Sequence, residues 1–146
     1  MAAARSIDVV DRLDILDLYA RQAHAIDSGR AGDWAQCFTA DGVFVSPTYN
    51  LTATGRPELT AFAESSNSAA LARGDQLRHW LDAIIMTPTG AGTGGDIDAV
   101  HVEAYLMILA TSAAGSRVDR SLRVLDDLRR VDAEWYLSSR TVFRDV

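Results

Sequence analysis

Between Gln76 and Arg144 the chain abandons helical spacing, and this change of period limits its fold more than any other feature. Leu77 to Met86, Ile97 to Thr111, Arg117 to Val131 and Trp135 to Arg144 read as four long strands rich in strand-forming residues. They are joined by Gly90-Ala91-Gly92-Thr93-Gly94-Gly95, by Ser112-Ala113-Ala114-Gly115 and by Asp132-Ala133-Glu134, connections short enough for antiparallel neighbours. The glycine run reads as a hairpin tip. It lacks the lysine and following Ser/Thr of a phosphate-binding loop, and no helical pattern follows it.

The residues before this sheet supply helices to cover it. Val9, Leu13, Leu16, Ala20 and Ala23 recur at steps of three and four, which predicts a helix over about Ile7 to Ile26, capped by Ser6, with that stripe facing the core. A short helix from Gly32 to Phe38 buries Trp34, Cys37 and Phe38. Gly42 to Ser46 then reads as a strand with Phe44 and Ser46 on one face, and Leu51 to Thr54 as a short returning strand. Pro57 and Glu58 suit the first turn of a third helix that stops near Gly74, with Leu59, Phe62 and Ala63 inward. The order predicts an α+β fold, with three helices on one face of a curved antiparallel sheet. Its 146 residues suit one domain spanning residues 1–146.

A net charge of −6, with arginines interleaved among acidic residues, argues against nucleic-acid and anionic-membrane partners. No apolar run approaches the roughly 20 residues that span a bilayer, and Met1 to Ser6 lack a signal-peptide core, so a cytoplasmic location is expected. Cys37 is the only cysteine, which excludes an intrachain disulfide; within its helix it reads as core filler.

Continuing the first helix's stripe by four residues lands on Asp27, a carboxylate where a core residue belongs. An unpaired buried carboxylate costs several kcal/mol, on the order of the penalties for other buried charges. Asp27 therefore either ends or caps a helix at the surface, or has a partner, is protonated, or faces a wet cavity. His79, on a strand face shared with Leu77, Leu81, Ala83 and Ile85, is a candidate partner; the plainer reading is a satisfied structural histidine. His101, Glu103 and Tyr105 share the strand face opposite Val100, Val102 and Ala104, so parity sends them outward or into a subunit interface. The histidines lack zinc-motif spacing, and neither a metal nor a cofactor is expected.

Several stretches, taken in order, carry a resemblance to a known family. They are Ala25-Ile26-Asp27 with Gly32-Asp33-Trp34, Phe38-Thr39-Ala40-Asp41-Gly42-Val43-Phe44, Gly55 before the third helix, Arg78-His79, Asp126 to Asp132, and Trp135 with Arg140 and Asp145. The chain resembles the SnoaL-like branch of the nuclear-transport-factor-2-like (NTF2-like) superfamily over nearly its whole length. That resemblance implies a cone-shaped α+β barrel whose curved sheet and helices enclose a pocket. Its members include polyketide cyclases, ketosteroid isomerases, scytalone dehydratase and dioxygenase small subunits. Asp27 matches the acidic residue ending the first helix, and His79 matches the strand histidine that pairs with it in scytalone-dehydratase-like members. The tyrosines and asparagine of those dehydratases correspond here to Ile26, Ser46 and Val124.

An Asp beside a His in an apolar pocket suits chemistry that needs only a proton shuttle: dehydration, isomerisation or aldol-type cyclisation. Asp27 and His79 are accordingly the candidate catalytic pair. Tyr19, Trp34, Phe38, Phe44, Tyr49, Phe62, Val124 and Phe143 are the candidate substrate-binding residues for an apolar small molecule, with Tyr49 at the mouth. The other reading is a non-catalytic binding or scaffold module of the dioxygenase small-subunit kind. A homo-oligomer, a dimer in particular, is expected, because large curved sheets of this kind commonly pair face to face.

Overall fold

The computed structural model describes residues 6–146. Met1 to Arg5, most of the stretch read above for a signal peptide, lie outside the described residues. Helix α1 spans Val9–Asp27, α2 Ala31–Gln36 and α3 Gly55–Ala72. The strands are β1 Phe38–Ser46, β2 Leu51–Thr54, β3 Gln76–Ala91, β4 Ile97–Ser112, β5 Gly115–Val131 and β6 Glu134–Arg144. One six-stranded sheet runs in the order β2-β1-β6-β5-β4-β3, and it is not closed.

The expected antiparallel sheet needs one correction. β1 and β6 pair in parallel, with Phe44 opposite Arg140 and Val45 opposite Thr141. After β2 the chain leaves through α3 and builds β3, β4 and β5 as hairpins, so its last strand returns beside its first in the same direction. The inner face carries the core: Val100, Val102, Ala104, Leu106, Ile108 and Ala110 of β4 alternate with exposed or half-exposed residues, as a half-covered sheet requires.

α1 departs from its expected orientation. Asp8, not Ser6, caps it, its side chain accepting from the Asp11 amide at 2.8 Å. The buried face is Ile15, Leu18, Tyr19, Gln22, Ala25 and Ile26, whereas Val9 is 71% and Leu13 59% exposed. Two apolar stripes at the same spacing lie roughly a third of a turn apart on this helix. The one carrying Tyr19 and the branched Ile15 and Ile26 has the greater bulk and takes the core. Asp27 lies on the outer stripe and is covered by a different element: β3 crosses the helix's last turn, and the Gln76 side-chain amide donates to the Asp27 carbonyl at 2.8 Å.

β3 also corrects a parity. Asp82 pairs with Tyr105 and Ile85 with Glu103, leaving one extra residue on β3, and Ala83 there adopts φ 55°. This bulge swaps the faces beyond it, so Ile85 points outward instead of sharing the inner face with His79. At its start β3 is clamped to β5: Arg117 donates twice to the buried Asp75 carboxylate, at 3.2 and 2.8 Å, and Arg73 once. Hydrogen bonds from Arg117 hold that carboxyl below its ordinary pKa against the opposing effect of burial. No described helix is long and apolar enough to cross a membrane.

Candidate functional site

All three helices and all six strands contribute at least one residue to a cavity of about 190 Å³. Its walls are Ile26 of α1, Trp34 of α2, Phe44 and Ser46 of β1, Leu51 of β2, Phe62 and Ser66 of α3, and His79 of β3. Leu106, Ile108, Arg120, Leu122, Arg140 and Val142 of the remaining strands complete them, with Tyr49 on the turn after β1. The aromatic residues form one slab: Phe44 stacks on Phe62 at 4.6 Å, and Trp34 meets both, at 6.1 and 5.6 Å. Such a wall favours a flat apolar guest.

His79 enters the cavity already tied to Asp27. Its Nδ1 lies 2.6 Å from Asp27 Oδ1, and its own backbone amide donates to Asp27 Oδ2 at 3.0 Å. Both carboxylate oxygens are therefore directed at one residue. A carboxylate accepts, so the neutral imidazole tautomer that satisfies this contact is the one with its proton on Nδ1 and its lone pair on Nε2. The Asp27 side chain is 7% exposed and that of His79 18%, and of the two only the imidazole lines the cavity. Asp27 stands behind it, on an outer groove between α1 and β3.

A second buried network lies deeper. Arg140 donates from Nε and Nη2 to the two oxygens of Asp126, each at 2.8 Å, and the Tyr19 hydroxyl donates to Asp126 Oδ2 at 2.7 Å. Asp126 is wholly buried and Arg140 is 6% exposed. Burial alone would lower the Arg140 pKa, but the charge and hydrogen bonds of Asp126 outweigh it and hold the guanidinium above its ordinary value. Burial, and then the Asp126 charge, push the Tyr19 phenol well above its usual range. Tyr19 therefore remains a neutral donor.

Of the residues expected to contact substrate, Trp34, Phe44, Tyr49 and Phe62 line the cavity. Tyr19 does not, because its ring lies under Arg140 and its hydroxyl is committed to Asp126. Phe38 and Val124 are fully buried in the core without reaching the cavity. Phe143 faces the outer side of the sheet, under the Arg123 guanidinium at 5.3 Å. His101, Glu103 and Tyr105 also face outward; His101 pairs with Asp127 at 2.9 Å. Ser46, Ser66, Arg120 and Arg140 were not among the expected site residues. Their signal was parity: Ser46 shares the face of Phe44, and Asp126 interrupts the apolar series Leu122, Val124, Leu128, marking a buried charge that needs a cation.

Compared with known proteins, residues 8–141 match the model of the SnoaL-like domain. The chain belongs to the SnoaL-like family. No curated protein matches this SnoaL-like chain. Among solved structures, Aln2 from a Streptomyces species is 27% identical, with a TM-score of 0.82 over 97% of this chain and 95% of that one. A Catenulispora acidiphila protein in complex with S-DNPA is 28% identical, with a TM-score of 0.78 over 94% of this chain and 96% of that one. An NTF2-like protein with a cystatin-like fold from Novosphingobium aromaticivorans is 21% identical, with a TM-score of 0.78 over 94% and 90% of the two chains. The last likeness bears on the fold alone: the SnoaL-like chain has the NTF2-like α+β cone.

Proposed function

We propose that this SnoaL-like protein is a cofactor-independent acid–base enzyme, a dehydratase, isomerase or cyclase, acting on a flat apolar small molecule held against the aromatic slab. The observation that carries the reading is the 2.6 Å contact of Asp27 with His79, whose imidazole opens into the cavity. Nε2 takes a proton from a carbon next to a carbonyl, and the electron pair left behind moves onto the carbonyl oxygen. Asp27 balances the positive charge that forms on the imidazole. The same proton then returns to a different carbon, giving isomerisation, or to a departing hydroxyl, giving dehydration. If the enolate attacks a second carbonyl before the proton returns, the result is cyclisation. The complex of the Catenulispora acidiphila relative with S-DNPA supports a small-molecule guest.

Deuterium exchange tests this without knowledge of the natural substrate. Wild-type protein in D2O is expected to accelerate exchange of the acidic carbon-bound protons of 2-tetralone, a two-ring ketone, followed by proton NMR. His79→Ala should lose that acceleration, a drop of about 10²- to 10⁴-fold. Equal exchange rates with wild type, with His79→Ala and with buffer contradict the reading and leave a binding or scaffold module.

We also propose that the protein works as a homodimer through the outer face of the sheet. Trp80, Ile85, Tyr105 and Met107 are exposed there on paired strands, among Arg78, Asp82, Glu103 and Arg123. A two-fold interface needs one patch that carries both signs of charge around an apolar centre, and this patch does.

A further inference from the structure

Among the described residues the buried Ser46 hydroxyl has no hydrogen-bond partner, although Ser46 lines the cavity and is only 3% exposed. Such a group costs free energy unless something completes it. Its neighbour across the sheet is equally unfinished. Arg140 opposes Phe44, two residues before Ser46, on the parallel β1–β6 pair, and it too lines the cavity. Nε and Nη2 of Arg140 are committed to Asp126, and Nη1 makes no hydrogen bond among the described residues. Asp126 is in turn locked by the Tyr19 hydroxyl, so the guanidinium plane is fixed before any guest arrives.

From these observations we infer that Ser46 and Arg140 form an oxyanion subsite on the β1–β6 wall, which receives the substrate's carbonyl oxygen as negative charge develops on it. The inference rests on the acid–base reading of His79 and extends it to substrate class. His79 stands on β3, with β4 and β5 between it and β6. A guest that meets both walls turns its carbonyl oxygen toward β6 and the adjacent proton-bearing carbon toward β3. Charge created at the carbon must travel to the oxygen, which requires conjugation. The subsite therefore selects a fused-ring ketone whose enolate is conjugated and planar, of a size that suits the slab and a cavity of about 190 Å³. An apolar cavity of about 150 Å³ already holds benzene in another protein. The Ser46 hydroxyl and Arg140 Nη1 donate to the anion, and Asp126 and Tyr19 act as positioning residues behind Arg140.

The probe is 2-naphthol, whose anion is a planar conjugated oxyanion, with naphthalene as the control that lacks the oxygen. Binding is followed by absorbance across a pH titration. Bound 2-naphthol is expected to ionise at least about one pH unit below the free compound, the shift a cationic donor gives. Ser46→Ala should weaken binding of the anion by about tenfold and leave naphthalene unchanged, the scale of one lost hydrogen bond to a charged group. Removing Arg140 outright would strand Asp126 in the core, so the second variant is Arg140→Lys, checked for native circular dichroism. Lysine has no fork to serve Asp126 and a guest together, and the ionisation shift should shrink. The inference is overturned if 2-naphthol does not bind, binds no better than naphthalene, or ionises as it does when free. It is also overturned if His79→Ala, and not Ser46→Ala, removes the shift, because the oxygen then sits at the imidazole. Absent exchange in 2-tetralone, together with Ser46-dependent binding of the anion, would defeat the acid–base reading alone.

Discussion

Asp27 accepts from both the side chain and the backbone amide of His79, so its role is to fix one residue in one orientation. Asp27→Asn keeps the shape and removes the charge. Exchange of 2-tetralone by this variant should therefore fall between that of wild type and that of His79→Ala; exchange equal to wild type would show that the carboxylate is dispensable. The two residues of this pair stand out from sequence because each places a polar group on an apolar pattern. Apolar spacing nevertheless points to the wrong stripe of α1 as the buried one. What covers Asp27 is β3, with His79 lying 52 residues further along the chain, and no local periodicity reports that crossing. Ser46 and Arg140 were harder to see: a serine at a strand's end is an ordinary surface residue, and Arg140 is out of step with the buried Trp135 and Leu137 until an extra β6 residue between Leu137 and Ser139 shifts the parity and turns it inward with Val142.

At the level of elements, the four long strands and three helices were legible because apolar period and turn residues agreed at nearly every boundary. Two features were not. The parallel β1–β6 pair depends on which edge the last strand joins, and the β3 bulge depends on Ala83 at φ 55°. The β5–β6 hairpin carries similar strain, and it can be measured. Val131 pairs with Glu134, leaving a two-residue turn in which Asp132 has φ 50° and Ala133 φ 67°. Such turns favour glycine at the second position, because a left-handed backbone costs an L-residue with a Cβ roughly 1–2 kcal/mol. Glycine's extra freedom in the unfolded chain cancels part of that. Ala133→Gly should thus stabilise the protein by about 0.5–1 kcal/mol, raising Tm by roughly 2–3 °C. A calorimetric Tm at or below that of wild type would mean that the turn is not strained.

For the whole molecule, one sheet serves two faces. Its inner face closes the cavity with the helices, and its outer face exposes Trp80 at 59% and Tyr105 at 67%. Such large apolar side chains side by side on the sheet's outer face favour association. Light scattering at micromolar concentration should give a mass of twice 15.8 kDa, and Trp80→Glu should halve it with unchanged circular dichroism. A wild-type monomer throughout that range would contradict the dimer. Parity placed His101, Glu103 and Tyr105 on this outer face from sequence, because β4 alternates without interruption from Val100 to Ala110, and the same rule failed on β3 only past its bulge.

Every proposed step of the chemistry depends on Asp27 holding His79 with Nδ1 protonated and Nε2 open to the cavity. Long-range proton–nitrogen NMR of the imidazole tests this most directly. A protonated Nδ1 and an unprotonated Nε2 are expected, with the Nε2 signal moving when 2-tetralone is added. A proton on Nε2 alone, or an Nε2 signal indifferent to the ketone at saturating concentration, would contradict the acid–base pair.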